Sequence, residues 1–208
     1  MKKRYLFIFL GTIFICLFFF NCKSLLKKSY GITNPKIEKK ENIKKYLLKN
    51  KIDTTNVLIF KDLQSYAIMT KSRGVKIPNA MFFNSKGNYV DYKKSPEDCT
   101  AKIHDFILDI KNLNNTDSET WQINDLSNFI LHLDNRNETL FEEGKYDAYV
   151  IINWAIFVGK LNHEKAFDWI NVIEQINSND FKIKYYLLNC DFQESWNMTE
   201  DQKTSLGL

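Results

Sequence analysis

The sequence predicts an α/β fold, a three-layer sandwich with helices on both faces of a mixed central sheet. Three observations predict it. Short apolar runs of strand length alternate with stretches whose apolar residues recur at helical spacing. Two of the runs lie close enough to form a hairpin, so part of the sheet is antiparallel. Two others, at 149–155 and 182–189, are separated by a helix at 163–176, and a right-handed crossover through it makes them parallel.

The elements follow in order. Lys36 to Asn50 is a lysine-rich helix with Ile43, Tyr46 and Leu47 on one face. Asn56 to Phe60 is an apolar strand, followed by a helix from Asp62 to Ser72 that Gly74 ends. Ala80–Asn84 and Asn88–Tyr92 are strands joined at Ser85-Lys86-Gly87. Pro96 and Glu97 open a helix in which Ile103, Phe106, Ile107 and Ile110 fall on one side. Asn112 to Ser118 is polar and loop-like. Thr116 and Glu119 have the spacing of a capping box, and Leu126, Phe129, Ile130 and Leu133 mark a helix after it. Glu142-Glu143-Gly144-Lys145 is a break. Tyr149 to Ala155 is a buried strand, and His163 to Ile176 a helix with Ala166, Trp169, Ile170 and Ile173 inward. Lys182 to Asn189 is the last strand, and the final dozen residues carry no predicted structure. No internal repeat is visible.

The first 22 residues have their own character. Lys2, Lys3 and Arg4 precede an apolar run from Tyr5 to Phe20, 16 residues long, which ends at Asn21-Cys22. The run is shorter than the roughly 20 residues of a membrane span. It resembles a bacterial lipoprotein signal, in which the cysteine after the cleavage point takes the lipid, palmitate included. Phe19, Phe20 and Asn21 stand where that signal has a small residue before the cysteine. The resemblance implies a signal at 1–21, a lipidated Cys22, a membrane-proximal tether at 22–35 closed by Asn34-Pro35, and a folded domain at 36–208. It implies a lipid-anchored protein of the bacterial cell envelope, on the inner or the outer membrane. An uncleaved N-terminal anchor is the alternative.

Charge divides the chain. Residues 23–51 carry ten lysines and two glutamates, whereas 52–208 carry 16 basic and 23 acidic residues. The basic stretch is either a solvated linker and helix face or a segment drawn to anionic lipid. The acidic body argues against nucleic acid as a partner.

The residues offer little chemistry. Cys16 lies in the apolar run, which leaves Cys99 and Cys190 as thiols of the folded body, 91 residues apart, either paired or free. Cys190 ends an apolar strand beside Asp191, which opposes a thiolate. Cys99 sits near a helix start that favours one, while Glu97 and Asp98 oppose it. His104, His132 and His163 fall on three separate predicted helices without metal-binding spacing, so each reads as a surface or helix-end residue and no metal or cofactor is expected. No nucleophile elbow or phosphate loop is present. Trp121, Trp154 and Trp169 read as core, and Trp196 as a candidate exposed aromatic anchor.

Two segments carry a family likeness. Trp154-Ala155-Ile156-Phe157-Val158-Gly159-Lys160-Leu161 follows a hydrophobic strand and precedes a helix and a strand ending Asn189-Cys190-Asp191. Gly74 to Val90 contains Ile77-Pro78, a strand, a Lys-Gly turn and a second strand. Together they resemble the thioredoxin fold family, in reversed chain order, as in a permuted relative. The resemblance implies a thioredoxin-like scaffold with Val158 and Leu161 in the places of the two redox cysteines. Gly159 is kept for the turn, and Lys160 replaces a proline. It implies a cis peptide at Ile77–Pro78 and a groove at Lys76, Ile77, Pro78 and Asn79 beside the degenerate turn of Trp154, Val158, Gly159 and Leu161. The expected function is a non-catalytic binding or structural role for a membrane-anchored envelope lipoprotein, its protein partner unknown. The alternatives are a thiol oxidoreductase using Cys99 or Cys190, and an immunity or accessory lipoprotein of a secreted system.

Overall fold

The computed structural model describes residues 27–73, 75–93, 102–112, 121–134, 136 and 138–208. The expectations for residues 1–21, Cys22, Pro96, Cys99 and the Thr116–Glu119 box lie outside them.

The centre is a six-stranded mixed sheet, flanked by helices. Its strands are β2 (Val57–Phe60), β3 (Asn79–Asn84), β4 (Tyr89–Val90), β5 (Ile130–His132), β6 (Ala148–Trp154) and β7 (Ile183–Asn189). Their order is β4-β3-β6-β7-β2-β5. β6 and β7 run parallel from Ala148↔Ile183 to Trp154↔Asn189, and β2 is parallel to β7 on its other side. β3 is antiparallel to β6, from Asn79↔Asn153 to Asn84↔Ala148. Every residue of β6 is buried, which is why it reads as a continuous apolar run rather than an alternating one.

Alternation sorts the side chains into two cores. Val57, Ile59, Ala80, Phe82, Val150, Ile152 and Leu187 point to one face. That face is covered by α1 (Lys40–Lys49), α3 (Ile103–Leu108) and α4 (Asp168–Ile176). Ile43 and Leu47 of α1 and Trp169 and Ile173 of α4 are buried there. Leu58, Phe60, Met81, Phe83, Ile151, Tyr186 and Leu188 point the other way, against Met69 of α2 (Leu63–Arg73) and a 3-10 turn at Ile123–Asn128. The hairpin between β3 and β4 turns on Asn84, whose Oδ1 accepts from the amides of Lys86 and Asn88, both at 3.0 Å.

Three expectations change. The helix read from Leu126, Phe129, Ile130 and Leu133 is instead the 3-10 turn followed by β5. Asn124, Asp125, Ser127 and Asn128 compete with the helical backbone through their side chains, and β2 offers an open edge, which β5 takes at Phe60↔Ile130 and Leu58↔His132. Ile130 and Leu133 then serve opposite cores, which no helix face could do. The C-terminal dozen is not irregular. It holds α5 (Glu200–Leu206), begun by a capping box between Thr199 and Gln202.

The segment read as a tether is also packed down. Residues 27–30 are helical. Further on, β1 (Ile37–Glu38) pairs in parallel with β8 (Phe192–Gln193), Ile37 opposite Phe192.

Candidate functional site

The carboxyl end of β6 is where the two family-like segments meet. One side of it is closed. After Trp154 the chain turns through Ala155 to Leu161, and a hydrogen bond from the Cys190 amide to the Trp154 carbonyl, 2.8 Å, ties this turn to the end of β7. Asp191 makes a second tie. Its carboxylate accepts from the Ile156 amide and from Asn189 Nδ2, each at 2.7 Å. Gln193 Nε2 completes the cluster by donating to Asn189 Oδ1 at 2.9 Å and to the Asp191 carbonyl at 2.7 Å. Burial pushes the Asp191 carboxyl up to about 6, against the opposing pull of the Ile156 and Asn189 donors.

Trp154 is fully buried and stacks on Tyr46 of α1, with ring centres 5.7 Å apart. The Tyr46 hydroxyl accepts from Asn162 Nδ2 at 3.0 Å, and that same amide donates to the Ala155 carbonyl at 2.8 Å. Asn162 reaches inward from a π-helical turn, Asn162–Phe167, that runs into α4.

Residues 30–33 lie along the turn. The Thr33 amide donates to the Phe157 carbonyl at 2.9 Å, and the Lys160 amide to the Tyr30 carbonyl at 2.8 Å. Gly159 has φ +61°, and a Cβ built there would stand 2.6 Å from the Gly31 carbonyl oxygen. Only glycine fits. Val158 is 4% exposed. Val158 and Leu161, the positions to which the family likeness would assign thiols, carry none, and Val158 is buried, whereas dithiol exchange needs a reachable thiolate.

The other side is open. The Ile77–Pro78 peptide is cis, and Asn79 begins β3 directly opposite Asn153. Beside it lies a cavity of about 320 Å³ lined by Lys76, Asn79, Tyr89, Tyr92, Trp121 and Asn153 among others. Lys76 and Asn79 are in this lining. Ile77 packs instead against the core beneath. Tyr92 donates its hydroxyl to Asn79 Oδ1 at 3.1 Å, and the rings of Tyr89 and Trp121 lie 5.1 Å apart. Asn153 is 1% exposed. Its Nδ2 donates to the Lys76 carbonyl at 3.4 Å, while its Oδ1 has no partner. A buried acceptor left without a donor is costly.

The remaining candidates sit apart from this junction or carry no chemistry. Cys190 is buried, and its thiol is pushed up by burial first and by Asp191 second. His132, expected on a helix surface, is on β5, 3% exposed and with both ring nitrogens unpartnered. Burial, then the Arg136 charge, lowers its pKa. Among the described residues no three His, Cys, Asp or Glu side chains gather to hold a metal. Trp196, expected as an exposed anchor, donates its Nε1 to the Phe60 carbonyl at 3.0 Å and packs against Tyr66 and Phe192.

Sequence reasoning passed over Asn153 and Asn162, and placed Tyr46 on one face of its helix without giving it a polar role. The signal for Asn153 was present, as a lone amide inside the apolar run Tyr149–Trp154, where a polar side chain must find a use. The bond between Tyr46 and Asn162, 116 residues apart, gave no local sign. No family model, curated protein or solved structure matches the chain.

Proposed function

We propose that this protein is a non-catalytic binding protein of the bacterial cell envelope, held to a membrane by lipid on Cys22, on a permuted thioredoxin-like scaffold. The observation that carries the binding role is the cavity beside cis-Pro78, with Asn153, Lys76 and Asp91 in its lining, the last two exposed. The scaffold reading draws support from the arrangement of the matched segments. The strand that begins at Asn79 lies antiparallel to the Trp-Ala strand, and the strand ending at Asn189 lies parallel to it.

A protein segment entering beside Lys76 to Asn79 would add backbone hydrogen bonds there and place one side chain in the cavity. The absence of thiols at Val158 and Leu161 leaves that groove a binding function without exchange chemistry. Cys190 offers little to a thiol oxidoreductase, since both burial and Asp191 disfavour its thiolate.

Recovery of a partner from envelope extracts by the wild type, and its loss with the Lys76→Ala/Asn79→Ala variant, is the expected result. Identical partners with both proteins would refute the groove. Palmitate labelling is expected to disappear in Cys22→Ala, and labelling that persisted would remove the lipid anchor.

A further inference from the structure

We propose that the lysine-rich layer of residues 27–51 is a docking face for an anionic membrane surface, which holds the domain with this layer against the bilayer. The proposal rests on the lipid anchor at Cys22 for its geometry, and its own test is separate from that anchor.

Charge is the first argument. The sign of the chain reverses at the end of α1, from ten lysines against two glutamates in residues 23–51 to 16 basic against 23 acidic residues afterwards. An anionic surface therefore attracts this segment and repels the net acidic remainder of the chain.

The second argument is that this layer is fixed to the body. Residues 30–33 are bonded to the 157–160 turn, β1 is paired with β8, and α1 buries Ile43 and Leu47 completely. With those two side chains inward, helical geometry turns Lys45, Leu48 and Lys49 outward, with Lys44 at their flank. Leu48 is 65% exposed, an apolar side chain set among ammonium groups, as suits a surface that meets both phosphate and acyl chain. Lys27, Lys28, Lys44, Lys45 and Lys49 make no ion pair among the described residues. Of the nearby acids, Glu194 pairs with Lys39 at 3.4 Å and Glu38 accepts from Asn42, while Glu41 remains on α1 as a partial offset.

Reach chooses the occupant. Four residues separate Cys22 from Lys27. At about 3.5 Å per residue they hold the first lysines within roughly 18 Å of a lipidated Cys22. Within that reach the lysines can come to the bilayer surface, inside the Debye length of about 8 Å where the attraction acts, so the membrane is the first anionic surface this segment meets.

The test uses the full chain reconstituted in vesicles of phosphatidylcholine, with and without about one third phosphatidylglycerol. Lysine acetylation is read site by site by mass spectrometry. Lys27, Lys28, Lys44, Lys45 and Lys49 are expected to be acetylated about five- to tenfold more slowly on the anionic vesicles. Lys71 and Lys182 serve as unaffected controls, and the protection is expected to vanish in 0.5 M salt. Lys44→Glu/Lys45→Glu/Lys49→Glu, all at the surface, should abolish the protection of Lys27 and Lys28. Equal labelling on both vesicles overturns the proposal, even if Cys22 carries palmitate. Protection found in native membranes but not on the anionic vesicles also overturns it, in favour of an acidic protein. Protection without palmitate on Cys22 upholds the face while removing the anchor.

Discussion

The two sides of the β6 carboxyl end share one strand and differ in what they admit. On one side the turn from Ala155 to Leu161 is packed under residues 30–33, pinned by Asp191, and built on a glycine whose Cβ has no room. On the other, the cis-Pro78 strand opens onto a cavity with a buried acceptor unsatisfied. Buried polar atoms without a partner occur on both sides, Trp154 Nε1, Asn162 Oδ1 and Gln193 Oε1 on the closed one and Asn153 Oδ1 on the open one, so what separates the two is the cavity. A filled turn on one side and a concave, partly polar pocket on the other separate structural work from binding work.

The closed side should therefore be the sensitive one. Trp154→Ala is expected to have the largest effect, about 3–5 kcal/mol in denaturant unfolding, because a fully buried ring stacked on Tyr46 leaves a cavity. Gly159→Ala should cost about 2–3 kcal/mol, through positive φ and collision with the Gly31 backbone. Its signature is local: faster amide exchange at Thr33 and Lys160, whose hydrogen bonds hold the two segments together.

Asp191 gives the contrast a pH dependence. Its pKa of about 6 exceeds the 3.8 of an unperturbed aspartate, so between those values the folded state holds a proton that the unfolded chain has released. That contribution to stability is fully present below about pH 4 and is lost as pH rises through 6. Relative to Asp191→Asn, the wild type should lose on the order of 2–3 kcal/mol between pH 4 and pH 7. Parallel profiles for the two proteins would contradict the assignment.

The open side should yield the smallest effect. Asn153→Leu removes an unpartnered oxygen and one long hydrogen bond, so unfolding free energy should shift by less than about 1 kcal/mol in either direction. A loss comparable to that of Trp154→Ala would mean that the cavity is part of the packed structure and not a binding site.

Much of this junction was legible in the sequence because it is local. The apolar run before Trp154, the Ser85-Lys86-Gly87 turn and the inward residues of the 163–176 helix each follow from short-range periodicity. The cis state of Ile77–Pro78 was legible through family likeness. The illegible parts were tertiary. Ile130 and Leu133 have helical spacing, yet β2's free edge draws them into a strand. Trp196 lies in a polar context and still finds the Phe60 carbonyl across 136 residues. The capping box at Thr199 and Gln202 was readable, but α5 has no apolar face to advertise it. The packing of residues 30–33 on the turn depends on bonds between segments more than a hundred residues apart, which no sequence window contains.

Thiol accessibility tests the contrast most directly. Val158→Cys and Lys76→Cys, made separately in the full chain, place one thiol on each side, and native alkylation at pH 7 can be followed by peptide mass spectrometry. The account predicts that Cys introduced at 76 reacts at the rate of a free thiol, whereas Cys at 158 stays protected until the domain unfolds. Comparable rates at the two positions, or faster reaction at 158, would contradict it.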